Sequence, residues 1–364
     1  MKLQEIIAHL ESIAPLAWQE SYDNCGLLTG SPAMEINAAL ITLDCTEAVV
    51  DEAIALGANL IVAHHPIIFS GLKKITGKNY VERVVIKAIQ HSIAIYAIHT
   101  NLDNVSNGVN AEICKRLGLQ HCQILQPKAN LLKKLVTFIP VENFETVTQA
   151  IFAAGAGHIG NYSETGFSQQ GTGTFKGNTL SNPTIGTAGK KESVSEMRFE
   201  TIFPAHLEHS IITALIQAHP YEEVAYDLYS LTNTLAHTGS GMVGILPAPL
   251  SESEFLSFLK EKMYANCIRH TNLLKRKVQK IAVCGGSGSF LLKHAIAAQA
   301  DFYVTSDFKY HEFFDAENRI VIADIGHYES EQFTKDLLIS LLNEKFPTFA
   351  LHLSRINTNP VNYF

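Results

Sequence analysis

The sequence predicts an α/β protein: a main domain written in two halves at the two ends of the chain, with a ferredoxin-like α+β domain inserted between them. Three observations carry this expectation. The chain has 364 residues, more than the roughly 250–300 over which a single hydrophobic core keeps growing, so two domains are expected. At both ends apolar runs alternate with helical patterns, the mark of crossover units around a largely parallel sheet. Between them the texture shifts to a Gly/Ser/Thr-rich stretch over residues 155–189, flanked by strand and helix patterns of its own.

Taken in order, Leu3, Ile6, Ile7, Leu10 and Ile13 recur at helical spacing with Glu5, His9 and Glu11 between them, which reads as an amphipathic helix rather than a secretory leader. Strands are predicted over 38–43, 59–63 and 93–98, separated by helices over 47–56 and 80–90 and followed by a helix over 109–117. The insert reads as strand 134–140, helix 142–154, one strand at either 162–167 or 172–176, strand 193–204, helix 207–218 and strand 225–231. That order, β-α-β-β-α-β, is the split ferredoxin-like arrangement. The second half repeats the α/β alternation with strands at 280–284, 302–305, 319–324 and 349–353 and helices at 289–299 and 328–343. The expected boundaries are therefore 1–130 and 234–364 for the main domain and 131–233 for the insert.

Composition excludes several classes of function. Lys and Arg number 28 against 35 Asp and Glu, so the net charge is 28 − 35 = −7, and no overall positive field draws the chain to nucleic acid or to an anionic membrane. The longest nearly apolar stretch, 53–63, contains Gly57 and Asn59 and falls well short of the roughly 20 residues that span a bilayer. Six cysteines are scattered without a C-x-x-C pair, as expected of reduced thiols in a cytoplasmic protein.

The strongest local signal is Ala63-His64-His65-Pro66, directly after an apolar strand. In an open α/β sheet, residues just past the carboxyl end of a strand face the ligand crevice. Adjacent side chains diverge, so His64 and His65 are expected to serve different ions. His99-Thr100-Asn101-Leu102-Asp103 follows the next strand, and Asp324-Ile325-Gly326-His327 follows another, with Glu331 four residues beyond His327. If a helix begins near His327, the i,i+4 spacing aims His327 and Glu331 at one point. Imidazoles with carboxylates suit Zn²⁺, Mn²⁺, Fe or Co²⁺, and a pair of such ions activates a shared water for hydrolysis. A single histidine would carry little of this weight, since most isolated histidines lie on the surface or in satisfied core positions.

These segments, together with Ser21-Tyr22-Asp23-Asn24-Cys25-Gly26-Leu27, resemble the NGG-one-interacting-factor-three-like family, whose members are often called GTP cyclohydrolase I type 2 homologues. The likeness spans essentially the whole chain. Gly157-His158-Ile159-Gly160-Asn161-Tyr162-Ser163 and His219-Pro220-Tyr221-Glu222-Glu223-Val224-Ala225-Tyr226 resemble the PII/CutA-like insert of its long-form members. The resemblance implies that His64, His65, Asp103, His327 and Glu331 hold two divalent ions per chain (Zn, Mn, Fe or Co), with Asp103 or Glu331 bridging them. It also implies a toroidal homohexamer whose metal sites face an internal cavity and whose inserts cover the openings.

Other residues are weighed beside these. His311, in Thr305-Ser306-Asp307-Phe308-Lys309-Tyr310-His311, is a candidate proton shuttle or phosphate contact, or else a residue that packs the following helix. His99 is a candidate for the same proton-moving role, or orients Asp103. Cys284-Gly285-Gly286-Ser287-Gly288-Ser289 is a strand–turn–helix junction that could receive a phosphate on free backbone N–H groups, although a tight turn alone explains its glycines. In the insert, Gly171, Gly173 and Gly177 suggest a flexible loop, and Tyr221-Glu222-Glu223 a contact with a neighbouring subunit; an ordinary hairpin and helix end explain both as well. Lys73, Lys74 and Lys78, like Lys275, Arg276 and Lys277, read as solvated surface. The leading expectation is a metal-dependent hydrolase acting on a phosphate-containing or purine-nucleotide small molecule, with no nucleic-acid or membrane partner. The rival is a non-catalytic metal-binding or regulatory ring assembly that binds partners or nucleic acid.

Overall fold

The apolar runs near the N-terminus carry side chains that must be covered on both faces, and they are. A computed structural model describes residues 1–235 and 237–364, which divide into two compact units, Met1–Pro127 with Ala236–Phe364, and Lys128–Leu235. The first stretch contains α1 (Leu3–Ile13), β1 (Gly26–Thr29), β2 (Ala38–Thr42), α2 (Glu47–Leu56), β3 (Leu60–Ala63) and α3 (Tyr80–Gln90). It continues with β4 (Ala94–Ala97), the single turn α4 (Thr100–Asp103), α5 (Val109–Arg116) and β5 (Gln120–Pro127). Local chemistry sets the ends of α2. Thr46 accepts a hydrogen bond from the Val49 N–H at its start, and Gly57, at φ 68°, closes it in the left-handed region that a side chain would disfavour.

The insert contains β6 (Leu132–Pro140), α6 (Phe144–Ala153), β7 (Phe167–Phe175), β8 (Glu192–Pro204), α7 (Glu208–Ala218) and β9 (Tyr226–Leu231). The remaining stretch supplies β10 (Gly239–Ser251), α8 (Glu252–Lys262), β11 (Arg269–His270), β12 (Lys277–Ser287), α9 (Leu292–Ala297), β13 (Phe302–Ser306) and β14 (Val321–Asp324). It ends with α10 (His327–Glu331), α11 (Thr334–Lys345) and β15 (Ala350–Leu353).

The main unit holds two sheets rather than the one that alternation suggests. One has the order β1-β4-β3-β2-β15 and the other β11-β14-β13-β12-β10-β5. In the first, β15, β2, β3 and β4 run parallel and β1 is an antiparallel edge. In the second only β12, β13 and β14 are parallel, while β5, β10 and β11 pair antiparallel. The halves also trade strands: β5, from the N-terminal half, pairs with β10, and β15, from the C-terminal half, pairs with β2. Strands β1, β5, β10 and β11 and helix α8 carry no clear apolar period. β10, for example, reads Gly-Ser-Gly-Met-Val-Gly-Ile-Leu-Pro-Ala-Pro-Leu-Ser, in which three glycines and two prolines mask the alternation. Two predicted helices are shorter than expected. Residues 289–291 form a 3-10 turn before α9, and the helix expected over 328–343 is broken into α10 and α11.

The insert forms one antiparallel sheet of order β7-β8-β6-β9. This is the ferredoxin-like order, with α6 and α7 packing Val147, Ile151, Ile211 and Leu215 against Leu135, Ile139, Phe199 and Phe203. β7 shares residues with both of the segments expected for that strand. In the main unit a cluster centred on Phe255 and Phe302, with ring centroids 4.8 Å apart, packs α8 onto the second sheet. Phe255 is fully buried, so Phe255→Ala should cost about 3–5 kcal/mol of unfolding free energy. Denaturant titration checks it, and a loss under ~1 kcal/mol at an unchanged m-value would show that the cluster does not hold the sheet.

Candidate metal centre

The site is assembled at the carboxyl ends of parallel strands from both sheets. β3 ends at Ala63, and the backbone N–H groups of His64 and His65 bond to Thr42 and Leu43, so both imidazoles leave from a fixed backbone. His64 is fully buried. Its Nδ1 lies 2.8 Å from the Ile98 carbonyl, an acceptor only, so Nδ1 carries the proton and Nε2 keeps its lone pair. His65 Nδ1 is 2.7 Å from Asp44 Oδ1, His99 Nδ1 is 2.8 Å from Asp23 Oδ1, and His327 Nδ1 is 2.6 Å from Asp307 Oδ2. Each ring is thus held through Nδ1 by an oxygen that leaves Nε2 for a ligand, the outer support that metal-binding histidines need.

Glu331 joins these rings. One turn of helix, α10, sets it four residues after His327, as the spacing predicts. Its Oε2 lies 2.9 Å from His65 Nε2 and 3.1 Å from His327 Nε2, while Oε1 lies 3.8 Å from His64 Nε2. Asp103, at the end of α4, brings Oδ1 to 3.6 Å from His64 Nε2. His99 packs edge-on against His64 and His65, with centroids 5.2 Å from each. His65, His99, Asp103, His327 and Glu331 line a cavity of about 750 Å³, with Tyr22, Arg269 and Tyr328 also on its walls. Gly286 shows how closely β12 approaches: at φ 62°, a Cβ there would stand 2.5 Å from Glu331 Oε1. Gly286→Ala should therefore displace Glu331 and lower metal uptake severalfold although every donor residue is still present. Uptake equal to that of the wild type would mean that the Glu331 position does not matter.

The electrostatics follow from burial and pairing. Burial by itself pulls the His65 pKa down, but its bonds to Asp44 and Glu331 carry it up to about 9. His327, also disfavoured as a cation by burial, is carried up to about 11 by Glu331 and Asp307. Burial would raise Glu331, yet the His327 charge and the surrounding imidazoles hold it well below the ordinary carboxylate range. Asp103 goes the other way, pushed up by burial and by the Glu331 carboxylate. Asp23 is held below the usual range because its bonds to His99, Thr100 and Cys25 outweigh its burial.

Whether these residues fit a metal is answered by what they leave unsatisfied. His64 Nε2 and Asp103 Oδ1 are both buried and without a hydrogen-bond partner among the described residues. Such orphans are rare in folded proteins. Their 3.6 Å separation is too long for a hydrogen bond and suits two atoms around a common cation. Among the described residues, three sets have donor atoms within 4.8 Å of one another: His64, His65 and His99; His65, His327 and Glu331; His64, Asp103 and Glu331. Nitrogen and carboxylate donors in this mixture suit Zn²⁺, Mn²⁺, Fe or Co²⁺.

The five residues expected as ligands are thus brought together, with His99 beside them. His99 is held by Asp23 through Nδ1, and no hydrogen bond joins it to Asp103 among the described residues. His311 is not brought to the cavity. It is exposed, with Tyr310 at 5.1 Å and Phe314 at 6.4 Å between ring centroids. Asp307, four residues earlier at φ 59°, turns the chain so that Asp307 itself meets His327. In the phosphate cradle considered at residues 284–289, two N–H groups are spent on the protein: that of Gly285 bonds to Asn110 Oδ1 and that of Gly286 to Ser330 Oγ. No role was read from the sequence for Asp23 or Asp44, nor for Asp307 as the holder of His327. Their one signal is a place just before or after a strand.

Fold and pocket together define a class, two-sheet α/β proteins with a histidine–carboxylate cluster at the strand ends. Residues 1–360 match the family Duf34/NIF3 (NGG1p interacting factor 3), and the chain belongs to that family. It is 40% identical over 366 residues to the "GTP cyclohydrolase 1 type 2 homolog" of Bacillus subtilis (strain 168), covering 99% of this chain and 98% of that one. Among solved structures it is similar to a Bacillus cereus protein related to NIF3, with TM-score 0.84 and 40% identity over 100% of this chain and 99% of that one. It is also similar to Staphylococcus aureus protein SA1388, with TM-score 0.80 and 29% identity over 100% and 99% of the two chains.

Proposed function

We propose that this chain is a metal-dependent hydrolase whose two-ion centre is held by His64, His65, Asp103, His327 and Glu331. The observation that carries the reading is the division of Glu331: Oε2 serves His65 and His327, and Oε1 faces His64, which stands beside Asp103. A carboxylate shared between two donor sets is the bridge that a pair of ions needs, which favours Glu331 over Asp103 for that role. Bound ions would supply an acidified water and a polarised substrate oxygen. The chain does the rest. Asp44 and Asp307 fix the rings of His65 and His327, and His99, braced by Asp23, stands at the cavity wall to hold or move a proton at Nε2.

The substrate class we propose is a phosphate-containing or purine-nucleotide molecule. The printed name of the B. subtilis relative supports it, and so does a cavity of about 750 Å³, within the usual range for small-molecule sites. The first test is elemental analysis of protein purified without chelators. About two transition-metal ions per chain is the expected result; none, with none taken up from Zn²⁺ or Mn²⁺, ends the reading. The metal-loaded protein is then offered phosphoesters and nucleotides, with GTP followed for both phosphate and formate. Turnover that disappears on chelation supports the hydrolase. Metal without turnover of any of these leaves a metal-binding protein and removes the catalytic claim.

A further inference from the structure

The insert contains a cavity of about 440 Å³ that the metal chemistry does not use. Its floor is Glu196 of β8, a residue only 8% exposed. One carboxylate oxygen, Oε1, accepts a hydrogen bond from the Tyr221 hydroxyl at 2.9 Å. No other hydrogen bond and no Lys, Arg or His ion pair reaches its carboxylate among the described residues. A buried carboxylate without a counter-charge is costly, and such groups are ordinarily paired.

The nearest imidazole does not serve as that partner. His219 Nε2 donates to the Phe138 carbonyl at 3.0 Å, while its Nδ1 accepts the Tyr221 backbone N–H at 3.1 Å. Both ring nitrogens are committed in the neutral form, and burial lowers the His219 pKa further. The carboxylate position is also protected. Gly173 on β7 lies so close that a Cβ there would stand 1.9 Å from Glu196 Oε2.

The walls are aromatic. Phe138, Phe175 and Tyr221 line the cavity, with the Phe175 and Tyr221 centroids 6.1 Å apart. Glu222 and Glu223 add two carboxylates against the single ammonium of Lys176, so the lining carries −3 + 1 = −2. The segment that closes one side is pinned across it: the Asn182 N–H bonds to Glu222 Oε1 and the Thr184 hydroxyl to the Pro220 carbonyl. Aromatic faces around a carboxylate make a site for a cation with an apolar body, because ring quadrupoles and the carboxylate attract the same charge.

We propose that this cavity binds a small organic cation, an ammonium or guanidinium group that meets Glu196 while its apolar part lies against Phe138, Phe175 and Tyr221. The site lies wholly within the insert and does not depend on the metal reading. Isothermal titration of the full chain with phenethylamine tests the ammonium arm and phenethylguanidine the guanidinium arm, each beside 2-phenylethanol, a neutral isostere of the first. At least one cation should bind at one per chain, and the alcohol should bind at least ~10-fold more weakly than phenethylamine if that arm binds. Glu196→Gln should weaken the cation by a similar factor while thermal unfolding stays that of the wild type. Should that variant lose its fold, Gly173→Ala, which keeps the carboxylate and displaces it, should show the same loss. Binding of neither cation, equal binding of amine and alcohol, or wild-type affinity in folded Glu196→Gln and Gly173→Ala would each overturn the proposal.

Discussion

Glu331→Gln should reduce bound transition metal from about two ions per chain to fewer than about one, and hydrolytic turnover by ~10³-fold or more. The change is nearly isosteric, so the packing against β12 survives. What disappears is the negative charge between the two donor sets and one of its two acceptor oxygens. In the metal-free protein Glu331 lies 2.9 Å from His65 and 3.1 Å from His327, both ring nitrogens whose pKa it raises. An amide oxygen can still accept from both, but it brings no charge to hold them protonated and leaves no second acceptor oxygen toward His64. Because Glu331 serves both sets, its loss should exceed that of Asp103→Asn, which removes a donor from one set only. Elemental analysis of the two variants side by side decides it: an Asp103 variant poorer in metal than the Glu331 variant would place the bridge on Asp103.

The second large effect is a reversal of pH dependence when metal is removed. In the metal-free protein His65 has its pKa raised from 6.5 to about 9. A raised histidine stabilises the fold in its protonated form. Its contribution is therefore complete below pH 6.5 and is lost as pH climbs through about 9. Melting temperature without metal should fall across that window, with up to about 3 kcal/mol at stake from His65. Glu331, held low, contributes in the opposite sense, and its share is lost only in acid, below the ordinary carboxylate pKa. Metal binding needs neutral imidazoles and must expel these protons. The rise in melting temperature on adding Zn²⁺ should then grow from pH 6 to pH 8.5, and uptake near neutral pH should release at least about one proton per chain, read in a pH-stat. A shift that shrinks with pH, or uptake without acid release, would show that metal does not displace the protons of His65 and His327.

Much of this arrangement was legible in the sequence for reasons that are local. Leu60–Ala63 and Ala94–Ala97 are wholly buried strands, and a continuous apolar run ending in His64 or His99 is visible without any partner. The spacing of His327 and Glu331 is likewise a property of one helical turn. What could not be read depends on contacts between distant segments. Asp44 meets His65 only because β2 and β3 pair in parallel register, and Asp23 reaches His99 from the stretch before β1. The trade of β5 and β15 between sheets is invisible for the same reason, since β5 is half-exposed and mixed in polarity. His311 illustrates the opposite failure. Nearness in sequence to a strand end suggested a role, and one left-handed residue, Asp307, diverts the chain before His311 can take it.

The exchanged strands also set an order of events for a chain leaving the ribosome. β2 is made well before β15, yet its outer edge pairs with that strand. Until then that edge offers unpaired N–H and C=O groups to any neighbouring nascent chain, and a holding chaperone would have a defined target. The donors are divided by the same timetable, since His64, His65 and Asp103 are translated long before His327 and Glu331. Half a ligand set binds loosely and without selectivity, so an ion held by all five donors would be selected only once His327 and Glu331 had joined the other three.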